Sequence, residues 1–342
     1  MRRLSERELN RAVLARQCLL ERAEAPIPRV LERVGGIQAQ YAPSMYVGLW
    51  SRMAGFARDD LTRALERRAV LQATLMRVTI HLVSRRDHWP LALAVRAARR
   101  PLWLRSRRGA PGEEEMAAAA EAIRPRLAEG PIPRAELEAL LGKDVAGGVG
   151  LWVDLVRAPP SGTWERRRAD LLAGAEEWIG PPEVAAEAAL DHLVRRYLGA
   201  FGPATRGDIA SWTGLPPTAL DPALARLRLR RLLGPDGAPL LDLPRAPLPD
   251  AETPAPVRFL PTWDAALLVH CRRAGILREE DRPRIFSVRN PRSEAVFLVD
   301  GVVAGTWRHA EGRIRWDPFR RLAAADRRAL EDEAEGLAAL HA

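Results

Sequence analysis

Two glutamines two residues apart, Gln38 and Gln40, lie in the stretch Gly35-Gly36-Ile37-Gln38-Ala39-Gln40-Tyr41-Ala42-Pro43-Ser44. In an extended backbone, residues i and i+2 point to the same side. The pair then presents two amides to one small volume, with Ala39 facing the core. An amide carries donors and an acceptor but takes up no proton. Two of them can hold a water molecule or read a base edge, but they cannot do the acid–base work of a carboxylate pair. A polar loop between two helices is the plainer reading of the same residues.

The elements around the pair are legible from apolar spacing. Leu9, Val13 and Leu14, then Val30, Leu31 and Val34, recur at helical intervals over residues 5–34, and Gly35-Gly36 ends the second helix. Met45, Leu49, Trp50, Met53, Phe56, Leu61 and Leu65 predict helix over 45–68. Residues 70–83, rich in β-branched types, predict strand. Helices followed by a basic hairpin are the order of a winged helix. Gly130-Pro131-Ile132-Pro133-Arg134 resembles Gly202-Pro203-Ala204-Thr205-Arg206, which suggests a repeated unit. The second copy continues through Ser211-Trp212-Thr213-Gly214-Leu215 to residues 220–233, a helix-turn-helix pattern with glycine in the turn. Trp164-Glu165-Arg166-Arg167-Arg168 reads as a basic wing of the first copy. Residues 234–256, rich in Pro, Gly and Asp, are a wing or linker. Beyond them, 257–260, 285–288, 295–299, 302–307 and 314–316 read as strands. A hairpin turns at Asp300-Gly301, and 322–341 form a closing helix. The predicted fold is mainly α with β: tandem winged-helix modules over 1–110, 111–183 and 184–245, plus a C-terminal β-rich domain over 246–342.

Composition bounds the partners. The 342-residue chain carries 53 Lys+Arg against 44 Asp+Glu, a formal net charge of +9. That balance favours a polyanion, most simply nucleic acid. Lys143 is the one lysine among the basic residues, so arginine and alanine enrichment from a GC-rich coding sequence is a competing explanation. Cys18 and Cys271 are far apart and without metal spacing, and the histidines show no ligand spacing, so no metal and no cofactor are expected. There is no run of about 18 apolar residues and no signal-type h-region, which predicts a reduced, cytoplasmic, nucleoid-associated protein with no membrane contact. No dimerisation helix stands out, and a monomer is expected.

Gly-Ile-Gln-Ala-Gln-Tyr-Ala-Pro-Ser, followed by Tyr46-Val47-Gly48-Leu49-Trp50, resembles the signature of the AlkZ-like DNA glycosylases, within the AlkZ/YcaQ winged-helix superfamily. Arg77-Val78-Thr79-Ile80-His81-Leu82-Val83, Leu260-Pro261-Thr262-Trp263-Asp264 and residues 299–308 resemble further segments of the same family, so the likeness spans roughly residues 30–310. The family has a catalytic Gln-hydrophobic-Gln branch, which Gln38 and Gln40 match, with Ala39 a small middle residue. The resemblance implies that these two amides position water for N-glycosidic hydrolysis. The substrate it implies is double-stranded DNA with alkylated purines, including bulky or crosslinked adducts. It places Tyr41, Ser44, Arg77, Thr79, His81, Asp264 and Trp307 near the DNA or behind the amides, and Asn290, in the hairpin Arg289-Asn290-Pro291-Arg292, reads either as a probe of a DNA groove or as part of an ordinary polar loop. His81 is equally readable as a core residue and Asp264 as a turn cap. Phosphate contacts are expected from Arg105, Arg107, Arg108, Arg166 and Arg167, each of which also reads as part of a solvated face. A non-enzymatic winged-helix regulator is the alternative function. It would bind one operator sequence, often as a dimer.

Overall fold

The computed structural model describes residues 1–106, 111–268, 275–286 and 293–342. Helix α1 (Glu6–Arg16) starts at a reciprocal cap: the Glu8 N–H donates to Ser5 Oγ at 3.2 Å and the Ser5 N–H to the Glu8 carboxylate at 2.7 Å. Helix α2 (Ile27–Val34) stops at Gly35, in the left-handed region at φ 77°. Gly36 repeats that conformation at φ 81°, and a Cβ there would meet Val83 at 3.0 Å and the Leu82 carbonyl at 3.1 Å. Glycine is what lets the chain turn this closely against its neighbour. There follow β1 (Ile37–Gln38), α3 (Ala42–Trp50), α4 (Arg58–Glu66), β2 (Val70–Thr74), β3 (Ile80–Ser84) and the long α5 (Arg85–Ser106). The strand-like run over 70–83 is thus a hairpin, broken by a 3₁₀ turn at Met76–Val78.

The next segment supplies α6 (Glu113–Ala128), β4 (Ile132–Pro133), α7 (Arg134–Leu141), β5 (Leu155–Arg157) and β6 (Leu171–Gly174). All its strands join the first three in one antiparallel sheet of order β1-β3-β2-β5-β6-β4. The β2–β5 ladder pairs Gln72 with Arg157 and Ala73 with Val156, so the sheet runs across the division expected at residue 110. The third segment is α8 (Ala186–Phe201), α9 (Arg206–Thr213), α10 (Asp221–Arg226), β7 (Arg230–Leu233) and β8 (Pro239–Asp242). Thr205 and Asp208 cap α9 reciprocally, and Gly214 ends it at φ 78°. The run over 220–233 is not one element. Pro222 opens a six-residue helix, Leu227 turns extended, and β7–β8 form a separate two-stranded wing.

The C-terminal sheet has the order β12-β11-β10-β9, from β9 (Arg258–Leu260), β10 (Val296–Val299), β11 (Val302–Ala310) and β12 (Arg313–Pro318). It is closed by α11 (Ala324–His341). Asp300 and Gly301 have φ of 46° and 77°, as a two-residue hairpin turn of the primed type requires. Ile285, expected in a strand, instead ends a short helix, Arg282–Ile285, whose Pro283 has its φ preset for a first turn. Ser287 and Val288 lie outside the described residues.

The six-stranded sheet is covered on both faces. Leu71, Ala73, Val83, Val156 and Ala173 pack on α5 and α8, while Ile37, Ala39, Val70 and Leu82 pack on α2, α3, α4 and the C-terminal sheet. Buried ion pairs pin the segments to one another. Arg16 Nη1 donates to Asp242 at 2.7 Å, and Arg52 grips Asp264 with two bonds of 2.8 and 2.9 Å. Arg52 and Asp264 are both almost fully buried. Replacing Asp264 by alanine strands the guanidinium in the core, and we expect a loss of about 3–5 kcal/mol in urea unfolding. A loss below about 1 kcal/mol would show that the pair does not hold the seam.

Candidate active site

Strand β1 lies at the edge of the sheet, with Ile37 opposite Leu82 and Gln38 opposite His81. The ladder runs one residue further, the Ala39 N–H donating to the Ile80 carbonyl at 2.8 Å. At Gln40 a side chain takes over from the main chain: the Ile80 N–H donates to Gln40 Oε1 at 2.9 Å. Gln38 Oε1 accepts from Arg77 Nη2 at 3.1 Å. Both donors lack any acceptor capacity, so each amide must turn its oxygen toward them. Ala39 is buried in the core between the two. Gln38 is buried and Gln40 exposed. The two amides are therefore held in place, and each carbonyl keeps one of its two lone pairs.

His81 is buried, and its Nδ1 lies 3.0 Å from the Thr79 carbonyl, which makes Nδ1 the protonated nitrogen. Burial first, then the Arg77 charge, pushes its pKa down to about 3. Thr79 Oγ1 donates to the Met76 carbonyl at 3.0 Å and serves the turn itself. Arg77 and Val78 both adopt positive φ, 53° and 58°, within that turn. For L-residues this costs about 1–2 kcal/mol each. Arg77 Nη1 also donates to the Trp212 carbonyl, near the end of α9, at 2.6 Å. Burial pushes the Arg77 pKa down to about 10.

Tyr41 follows Gln40 directly and is 47% exposed. Its hydroxyl accepts from Arg167 Nη1 at 3.2 Å. Arg167 also lies 5.8 Å from the Trp164 ring centroid, with Arg58 at 5.1 Å and Tyr46 edge-on at 5.5 Å. Arg58 and Arg167 thus lie over the buried Trp164 ring, beside the exposed Tyr41 that follows Gln40.

Three other expected residues occupy the seam between α3 and the C-terminal sheet. Ser44 Oγ is 2.8 Å from Thr262 Oγ1, and Asp264 is spent on Arg52. Trp307 Nε1 donates to the Leu260 carbonyl at 2.8 Å while its ring meets Phe259 edge-on. Arg105 is exposed at the end of α5, on a cleft of about 650 Å³ that includes Pro101, Ser211 and Gly214. Arg166 is exposed and paired with Asp170 at 3.0 Å. Arg107, Arg108 and Asn290 lie outside the described residues. Part of the arginine cluster around Trp103 turns inward: Arg96 and Arg99 both bind Asp154, at 2.5 and 2.8 Å.

Sequence reasoning missed Arg157. It stands on β5 with its Nε buried and unbonded, and no hydrogen bond or ion pair to its guanidinium occurs among the described residues. Burial, then Arg134, pushes its pKa down to about 10. The available signal was a lone charge closing the apolar strand Leu155-Val156-Arg157. Among the described residues no group of three or more His, Cys, Asp or Glu side chains is arranged to hold a metal ion.

A family model described as DNA glycosylase AlkZ-like matches residues 31–340. No curated protein matches the chain. Among solved structures, the Streptomyces sahachiroi DNA glycosylase AlkZ superposes with a TM-score of 0.83, covering 99% of this chain and 96% of that one at 20% identity. The mixed helical and multi-sheet architecture is the AlkZ fold. The family match extends from the middle of α2 to the last turn of α11, so the chain belongs to the AlkZ-like DNA glycosylase family and is an enzyme of that class.

Proposed function

We propose that this glycosylase hydrolyses the N-glycosidic bond of purines alkylated at a ring nitrogen, of the N7-guanine or N3-adenine type, in double-stranded DNA. Gln38 and Gln40 would place the attacking water. One observation carries the reading. Gln38 on β1, Gln40 just after it and His81 on β3 are two amides, each held by its own hydrogen bond, and a histidine kept neutral, and none of the three donates a proton at neutral pH. A site of that kind suits a leaving group that already carries its charge. An unmodified purine needs acid assistance to depart, whereas a ring-alkylated one is cationic and leaves neutral. What remains for the protein is to hold a water beneath C1′ and stabilise the charge passing to the sugar. The free lone pair on each carbonyl would accept the water's hydrogens and direct its oxygen at the sugar.

Cleavage would stop at the abasic site. Schiff-base lyase chemistry needs an amine, and Lys143, the single lysine, is exposed at the start of a short helix in another segment. Arg58 and Arg167, held over the buried Trp164 ring beside the exposed Tyr41, would supply a basic surface for the flanking duplex. A labile cationic lesion reduces the need to enclose a flipped base. That supports tolerance of bulky or crosslinked adducts by a monomer.

Two experiments test the reading. Duplex DNA carrying N7-methylguanine should release base under single-turnover conditions, and changing Gln38 and Gln40 together to alanine should slow release by about 100-fold. Equal rates for the two proteins would remove the glutamines from the mechanism. Release should also be flat from pH 6 to 8, because His81 takes up its proton only near pH 3 and the lesion needs none. A rate that climbs tenfold per unit of acidification would demand an acid that this account does not contain.

A further inference from the structure

The β2–β3 turn contains a side chain that its own geometry does not require. Two consecutive residues, Arg77 and Val78, hold positive φ, a conformation that glycine or asparagine adopts at lower cost. The turn is fixed by its main chain. The Leu75 N–H donates to the Thr79 carbonyl at 2.9 Å, and the Thr79 N–H to the Met76 carbonyl at 3.0 Å, over fully buried Leu75 and Met76. What the strain accomplishes is placement of one guanidinium. One prong of Arg77 reaches the Trp212 carbonyl at 2.6 Å, and the other reaches Gln38 Oε1 at 3.1 Å. No carboxylate pairs with Arg77 among the described residues, so the charge is not spent on an ordinary salt bridge.

The anchoring side is rigid. Trp212 is buried against Tyr197 and Phe201, with ring centroids 5.3 and 5.9 Å away. The carbonyls at the C-terminal end of α9 are the negative pole of that helix, a natural seat for a cation. Gly214, which ends α9, would place a Cβ only 3.5 Å from the Arg77 backbone, so the helix-turn-helix packs directly on the turn.

Resting on the proposed role of Gln38, we propose that Arg77 is the positioning residue of the water-holding amide, fixing Gln38 to the end of helix α9 through a two-pronged guanidinium. The fork sets which end of the amide faces inward and leaves one lone pair on Oε1 for the water. Donation from a cation also polarises the amide and strengthens its Nε2–H groups as donors. The third segment, which carries the helix-turn-helix, thereby acts on the chemistry through a single side chain.

The test uses the full chain, duplex DNA with N7-methylguanine, and base release resolved into kcat and KM. Arg77→Ala should lower kcat at least tenfold and leave KM within about threefold. Millimolar guanidinium, far below denaturing concentration, should restore a saturable part of the loss. A double-mutant cycle separates positioning from general support. On a Gln38→Ala background Arg77→Ala should cost nothing further in kcat, and guanidinium should rescue nothing. On a Gln40→Ala background the full penalty should remain. Arg77→Lys, which keeps the charge but loses the fork, should recover less than half of the lost kcat. Additive effects of Arg77→Ala and Gln38→Ala, or a loss confined to KM, would overturn the inference while leaving the glutamine mechanism standing. Absence of base release by the wild type would instead sink the parent reading, and this inference with it.

Discussion

The pairing of a two-residue edge strand with β3 is the constraint on which the site depends. Ile37 and Gln38 are held against Leu82 and His81, and the ladder runs out at Ile80. Its last donor has no main-chain acceptor and takes the side chain of Gln40 instead. The same hydrogen bond that ends the strand therefore orients one of the two amides. The approach is possible because Gly35 and Gly36 turn the chain left-handed and bring it within van der Waals contact of Val83. Ala39 locks the register by burying its methyl group in the core, which leaves both glutamines on the opposite side.

The chemistry follows from what such a site lacks as much as from what it holds. Amides and a neutral histidine neither protonate a leaving group nor deprotonate water strongly. They orient, and orientation alone is enough only where the bond is already weakened. The proposed cationic purine meets that condition. The proposed phosphate contacts of Arg58 and Arg167, beside Tyr41, answer the separate requirement of a polyanionic substrate, since such contacts position without reading sequence. The count of arginines overstates that surface, because Arg16, Arg52, Arg96 and Arg99 are spent on buried carboxylates inside the molecule.

Much of this was legible in the sequence. Periodicity placed the helices around Val13, Leu31 and Leu49, the Gly-Gly break, the Asp300-Gly301 hairpin and the closing helix, because each is written in local spacing or turn chemistry. The alternation that put Ala39 in the core also holds. The joining of β2 to β5 was not legible, since a strand carries no mark of its partner in another segment. Nor were the destinations of individual arginines. Arg96 and Arg105 look alike in sequence, yet one is bound to Asp154 and the other lies exposed at the end of α5. Trp307 and Asp264 carried the family pattern, but they are held in the seam by the Leu260 carbonyl and by Arg52, contacts that only the assembled chain defines. Arg77 was visible as a motif residue. Its fork between Gln38 and Trp212 depends on a helix more than 130 positions away.

The central claim is that the two amides of Gln38 and Gln40 face the reacting sugar. It is tested most directly by a crystal structure with duplex DNA whose lesion carries a non-hydrolysable sugar. The account predicts an ordered water within about 3.2 Å of both carbonyl oxygens and in line with C1′. A lesion sugar bound elsewhere on the protein, with Gln38 and Gln40 touching neither it nor its water, would contradict it.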